Sequence, residues 1–205
     1  MEFYSQFNQD KFLYDNFFKS KKNGFFLDIG AHDGITGNNT YFFEKIGWDG
    51  ICIEPIPSVF EKLKINRNCT LIESALSDSK GNVDFLVLEG YTEMLSGIMD
   101  NYDPKHINRI DDELKTMGGK KNIIKCKTIT MDDLNLPDVV DYISLDVEGS
   151  ELSILKTINF KKNQINFISI ENNYNDSNIT NIMMDNNFEI IANLGCDTIF
   201  KNKNI

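Results

Sequence analysis

The chain is poor in the residues that most often announce a mechanism. Its 205 residues include two histidines, one tryptophan, four prolines and four cysteines. Cys52, Cys69, Cys126 and Cys196 lie far apart and form no CxxC pair. That argues against a zinc site or a disulfide framework, and for reduced thiols in a reducing compartment. No apolar run approaches the roughly 18–20 residues of a membrane span. Basic residues are scarce too: 21 Lys and Arg stand against 31 Asp and Glu, a formal net charge of −10. Affinity for phosphate polyanions rests on clustered Lys and Arg, so nucleic acid is not an expected partner. The opening residues Met1-Glu2-Phe3-Tyr4-Ser5-Gln6 have neither the basic start nor the apolar stretch of a signal peptide. A cytoplasmic location is therefore expected.

What is present is a core. Apolar residues make up 41% of the chain, enough to fold one domain over residues 1–205. Residues 1–23 place Phe3 and Phe7, then Phe7, Lys11, Tyr14 and Phe18, at helical spacing. They predict an N-terminal helical segment. Short apolar runs then alternate with helical patterns. Strands are expected at 24–30, 50–54, 69–73, 83–88, 123–129, 139–146 and 165–171, and a terminal hairpin at 188–192 and 198–201. Helices are expected at 39–46, 58–66, 150–158 and 178–186. This alternation predicts an α/β fold with a mostly parallel sheet, helices on both faces and an antiparallel C-terminal hairpin. Residues 89–122 break the pattern, with Gly90, Gly97, Gly118 and Gly119 punctuating them. They are expected to be an irregular, mobile insertion over an acceptor pocket.

Ligands of such sheets bind outside the carboxyl ends of the strands. The first strand ends Asp28-Ile29-Gly30-Ala31-His32-Asp33-Gly34. A dinucleotide fingerprint needs G-x-G-x-x-G, and neither Gly30 nor Gly34 starts one. An acid followed by glycines at +2 and +6 suits a cationic ligand group better than a pyrophosphate. S-adenosylmethionine, with an ammonium, a sulfonium and no phosphate, fits; a nicotinamide-dependent oxidoreductase is disfavoured. The second strand runs into Glu54, whose carboxylate suits the hydroxyls of a ribose. Ser74 and Ala75, after the third strand, could border an adenine.

With those residues in view, the chain resembles the FkbM family of S-adenosylmethionine-dependent methyltransferases. The resemblance is carried, in order, by Ser5-Gln6-x-x-Gln9-Asp10-Lys11-Phe12-Leu13, Gly24 to Gly34, Asn39 to Lys45, Gly47-Trp48-Asp49-Gly50, Glu54-Pro55, Leu95-Ser96-Gly97-Ile98 and Tyr142 to Glu151. It implies a Rossmann-like class I methyltransferase with a seven-stranded sheet, and O-methylation, commonly of sugar or polyketide hydroxyls. It also implies that Asp28, Gly30, His32, Asp33 and Gly34 surround the methionine end of the cofactor. By the same resemblance Gln9 reaches the cofactor, Glu54 holds the ribose, Ser74 and Ala75 flank the adenine, and Asp146 and Glu148 close the methyl-transfer site. One departure stands out. Relatives carry Glu-His-Asn after the fifth strand, where this chain has Glu171-Asn172-Asn173.

A hydroxyl acceptor benefits from a base or a metal as the methyl arrives. Asp146 and Glu148 are the expected catalytic acids, with His106 third. Asp146, Glu171 and Asn172 resemble the ligand set of magnesium-dependent O-methyltransferases, and oxygen ligands suit a hard cation. Arg109, Tyr91, Met94 and Asn173 are expected to meet the acceptor, a sugar, glycan or related small molecule. The alternative is a catalytically silent, cofactor-binding subunit of the same fold. The sequence leaves a homo-oligomer open.

Overall fold

The computed structural model describes residues 1–205. In chain order the elements are α1 (Gln9–Leu13), β1 (Phe25–Ile29), α2 (Tyr41–Lys45), β2 (Asp49–Ile53), α3 (Pro57–Asn66), β3 (Thr70–Ile72), β4 (Ala75–Leu76), β5 (Gly81–Glu89), β6 (Gly97–Ile98), α4 (Pro104–Met117) and β7 (Lys120–Ile129). There follow β8 (Val139–Leu145), α5 (Glu151–Leu155), β9 (Gln164–Glu171), α6 (Ser177–Asp185), β10 (Phe188–Leu194) and β11 (Asp197–Asn202).

The main sheet has seven strands in the order β10-β11-β9-β8-β1-β2-β3. β9, β8, β1, β2 and β3 are parallel, and β11 runs against β9 and β10. Strand alternation sorts the core onto two faces. Leu27, Ile29, Ile51, Ile53, Ile143 and Leu145 face one way, under Ile154 and Leu155 of α5 and Ile179 and Met183 of α6. Phe26, Cys52 and Tyr142 face the other, under Leu13 of α1, Phe42 and Phe43 of α2, and Leu63 of α3. Each such buried side chain contributes about 1.5–3 kcal/mol. Asp28 and Ser144 share the parity of Phe26 and Tyr142, and are register partners across β1 and β8. The second face therefore carries polar groups at its carboxyl end, where the site lies.

Two regions differ from the sequence expectation. The N-terminal segment is not one helix. Residues 9–13 form α1, and residues 14–18 continue as a single π turn. Before them the chain is extended enough for Ser5 to bridge Gly37. Fully buried Asp10 ties this knot, accepting from the N–H groups of Tyr4 and Ser5. The aromatics at helical spacing instead spread over the sheet, Phe3 packing on Phe42 and Phe18 on Trp48.

Residues 89–122 are not irregular either. β5 and β7 pair antiparallel from Gly81↔Thr128 to Glu89↔Lys120, and with β4 and β6 they make a second, four-stranded sheet. Between β5 and β7 lie two short 3-10 turns, β6 and the 14-residue α4. Asp103 caps α4 by accepting from the Lys105 N–H at 2.7 Å, and Pro104 occupies its first turn. Gly118 ends it at φ +71°.

Candidate active site

A cavity of about 410 Å³ opens beyond the carboxyl ends of β1, β2, β8 and β9. Strand order reverses between β1 and β8, where a doubly wound sheet leaves a crevice. Gly30 sits at that point. A Cβ there would lie 1.7 Å from the Asp146 carbonyl oxygen, and φ is +85°. The neighbouring strand alone therefore requires glycine at 30.

Glu54 lines the β2 side of the cavity. Its carboxylate accepts from the His32 N–H at 3.0 Å and the Ile56 N–H at 2.8 Å, which fixes its rotamer. Burial pushes its carboxyl up to about 7 despite these two donors, and the charges of Asp28 and Glu93 add to the rise. Ser74 and Ala75 line the same side. Ser74 Oγ donates to the Lys127 carbonyl, so its hydroxyl proton is already used.

A raised acid has a definite linkage sign. The folded state holds a proton on Glu54 that the unfolded chain has lost above about 4.5. The contribution of Glu54 to stability is therefore full below that value and falls as pH rises towards 7. The shift corresponds to about 3 kcal/mol. We expect the melting temperature of the ligand-free protein to fall between pH 5 and pH 8. The Glu54→Gln variant should show a flatter pH series by calorimetry.

Below the cavity Asp28 is held from several sides. Its Oδ2 accepts from Asn38 Nδ2 at 2.8 Å and Thr40 Oγ1 at 2.6 Å. The buried Arg67 guanidinium lies 3.6 Å away. Arg67 also donates to Glu44, to the Gly34 carbonyl at 3.1 Å, to Asn38 Oδ1 at 3.1 Å and to Thr40 Oγ1 at 2.9 Å. The turn carrying Thr36, Gly37, Asn38 and Asn39, all cavity residues, is thus tied to the chain just past α3.

At the β8 and β9 side three carboxyls converge. Oxygens of Asp146, Glu148 and Glu171 all lie within 4.8 Å of one another. Burial raises all three well above the usual carboxylate range. Glu171 is the next cause for Asp146, Asp146 for Glu148, and Glu148 for Glu171. Glu148 adopts φ +55°, a strained conformation for a side-chain-bearing residue. The turn is held by Glu151, which accepts from the N–H groups of Val147 and Gly149 at 3.0 Å each. Arg109 is the one Arg or Lys among the cavity residues, and its Nε donates to Glu113 at 2.8 Å. Met94 and Asn173 line the cavity, and Asn173 Nδ2 donates to Glu171 at 2.7 Å.

The structure thus gathers Asp28, Gly30, His32, Glu54, Ser74, Ala75, Asp146, Glu148, Glu171, Arg109, Met94 and Asn173 around one cavity. Six other expected residues lie off its wall. Gln9 is buried and donates to Asp197 at 2.8 Å, while its Oε1 accepts from the Phe7 N–H. It holds Gln6 and Phe7 at the cavity rather than reaching in itself. Asp33 closes the turn, accepting from Ile35 and Thr36. Burial alone would raise its carboxyl; those donors outweigh burial and hold it low. Gly34 packs on Leu63 and Arg67. Tyr91 points to solvent, 69% exposed. Asn172 closes its own loop, accepting from the Asp176 N–H at 2.7 Å and donating to the Asp176 carbonyl. Glu148, not Asn172, joins Asp146 and Glu171. His106 is on α4, not a loop, and is buried behind Glu148.

Sequence reasoning missed Asn39, Ser144, Glu93 and Arg67. Asn38-Asn39-Thr40 reads as a helix cap, and Asn38 does accept from the Thr40 and Tyr41 N–H groups. Asn39 Nδ2 instead donates to Ser144 Oγ at 3.0 Å and turns into the cavity wall.

A doubly wound sheet with this strand order, an acid at the end of β2 and an acidic turn after β1 fit the class of S-adenosylmethionine-dependent methyltransferases. The chain matches the Methyltransferase FkbM domain over residues 28–194, and it belongs to that family. No curated protein matches the sequence. Among solved structures it is similar to a precorrin-6y C5,15-methyltransferase from Geobacter metallireducens GS-15, at 12% identity over 88% of this chain and 79% of that one, TM-score 0.43. It is similar to a TehB-like SAM-dependent methyltransferase from Corynebacterium glutamicum ATCC 13032, at 9% identity over 97% and 89%, TM-score 0.46. A SAM-dependent methyltransferase from Aquifex aeolicus shows 12% identity over 95% and 87%, TM-score 0.42. Likeness at this level carries no argument about chemistry.

The cavity fits S-adenosylmethionine on its own terms. His32 Nδ1 and Nε2 and Asn39 Oδ1 are buried polar atoms without hydrogen-bond partners in the protein, and both residues line it. Buried polar groups are normally satisfied, so a polar ligand is expected there. Its acidic wall suits the ammonium and sulfonium. No helix is long and apolar enough to cross a membrane.

Proposed function

We propose that the chain transfers a methyl group from S-adenosylmethionine to a hydroxyl of a sugar, glycan or related small molecule. The observation that carries this reading is the triad Asp146, Glu148 and Glu171, which shares one cavity with Glu54. The cofactor, when bound, supplies an electrophilic methyl group. Asp28 and the turn after it hold the methionine end, Glu54 the ribose, and Ser74 and Ala75 the adenine. The acceptor lies against Arg109, Met94 and Asn173. Asp146 or Glu148 takes the hydroxyl proton, each held just past the carboxyl end of β8 beside the other acids of the triad. Fixing the hydroxyl in line with the methyl supplies much of the remaining acceleration.

The three carboxylates also suit a divalent cation such as magnesium, which would polarise the acceptor oxygen. Residues 89–122 supply Glu93, Met94, Leu95, Ser96, Ile98 and Arg109 to the cavity, and act as the acceptor-side lid. The test is a panel of nucleotide-sugars and glycans incubated with enzyme and cofactor, each read by mass spectrometry for a gain of one methyl group. A methylated hydroxyl supports the reading, and methylation confined to amines or carbons overturns it. Activity lost to a chelator and restored by magnesium supports the cation. Activity that survives chelation removes it and leaves the carboxylates as bases.

A further inference from the structure

His106 sits one layer behind the cavity, yet it touches the one member of the acid triad with an unpartnered buried oxygen. Its Nδ1 lies 3.6 Å from Glu148 Oε2, and that oxygen has no hydrogen-bond partner in the protein. Three other contacts fix the ring. Nε2 faces the Leu95 carbonyl at 3.4 Å. A carbonyl only accepts, so Nε2 carries the hydrogen and Nδ1 of the neutral ring is the acceptor. The ring lies against Tyr102 with centroids 4.7 Å apart and planes at 30°. Tyr174, from the loop after β9, places its hydroxyl 3.3 Å from Nδ1. Leu95 and Tyr102 are themselves joined, the Tyr102 hydroxyl donating to the same carbonyl at 2.9 Å.

Glu148 needs such support. Its backbone is held in a strained turn, and its Oε2 is removed from water without compensation. The ring edge stands 3.6 Å from Oε2 and is itself held by Leu95, Tyr102 and Tyr174, so it limits how far the carboxyl can turn away from Asp146 and Glu171.

We propose that His106 is a positioning residue for Glu148, holding its carboxyl group against Asp146 and Glu171 from behind. The inference rests on the reading of Glu148 as part of the methyl-transfer site. It gives the insertion a role in the chemistry as well as in covering the acceptor, because α4 carries both His106 and, one turn on, the cavity residue Arg109.

Three substitutions separate positioning from general support. Asparagine can place a polar atom near the Nδ1 position, glutamine near the Nε2 position, and alanine at neither. In crystals of each variant with S-adenosylhomocysteine, His106→Asn should keep the Glu148 carboxyl beside residue 106. His106→Gln and His106→Ala should let it swing away. Turnover of the best acceptor from the panel should fall about 10–100-fold in the Gln and Ala variants, with recovery in Asn. S-adenosylhomocysteine affinity should stay within about twofold, as expected for a group that acts only through Glu148. A second loss on adding His106→Ala to Glu148→Gln would overturn the proposal, because a positioning residue has nothing left to position. So would an unmoved Glu148 carboxyl in His106→Ala. Full activity in Glu148→Gln alone would instead sink the reading of Glu148 beneath it.

Discussion

Asp146→Asn is expected to lower turnover by about 10²–10⁴-fold, the range for loss of a positioned proton acceptor. It should do so without loosening the fold. The Asp146 backbone is fixed from two sides. Its N–H donates to the Ile29 carbonyl at 3.1 Å, and its own carbonyl lies where a Cβ at Gly30 would stand. The amide keeps the shape of the side chain and removes one of three mutually repelling carboxyls. The melting temperature should therefore hold or rise. Steady-state kinetics and calorimetry on the same preparation check both halves. An Asp146→Asn enzyme with full turnover would shift the proton-accepting role to Glu148. A variant that loses activity and melting temperature together would make Asp146 structural.

The second large effect concerns a residue outside the cavity. Arg67→Met should destabilise the protein by about 3–5 kcal/mol, the range for removing one partner of a buried ion pair. The Arg67 side chain is completely buried and serves Glu44, Gly34, Asn38 and Thr40 at once, beside Asp28. Phe26 and Tyr41 enclose it, with its guanidinium carbon 5.1 and 5.5 Å from their ring centres. Methionine fills part of the volume but leaves two carboxylates without their cation. The melting temperature should drop by roughly 10 °C or more. S-adenosylhomocysteine binding should weaken with it, because the turn over residues 34–40 loses its anchor. A loss below about 1 kcal/mol would mean that solvent reaches and satisfies Asp28, contrary to its burial.

Why Arg67 escaped the sequence reading is instructive. It follows a helix of unremarkable polarity and has no local partner. Its four hydrogen bonds form only once the turn after β1 and the end of α2 pack against the chain just past α3. Glu54 was legible because a carboxylate directly after an apolar run must end a buried strand. Residues 24–30 were legible as a buried strand because they form a short apolar run closed by glycine. The insertion was misread for a different reason. Gly90, Gly97, Gly118 and Gly119 suggested loop, while the stronger signal lay in Asp103-Pro104 before a helical pattern and Gly118 after it. That misreading moved His106 from a buried helix face to a loop, and so made it a candidate catalytic group. Asn172 was assigned by strand position, which could not show that its amide is occupied by Asp176.

The proposed function places the ribose of S-adenosylmethionine on Glu54, and calorimetry of S-adenosylhomocysteine on wild-type and Glu54→Ala protein tests that most directly. Binding to the wild type is expected, with a loss of about 1–3 kcal/mol in the variant, the cost of leaving buried polar groups unpaired. Equal affinity in the two proteins, or tighter binding of NAD than of S-adenosylmethionine by the wild type, would contradict it.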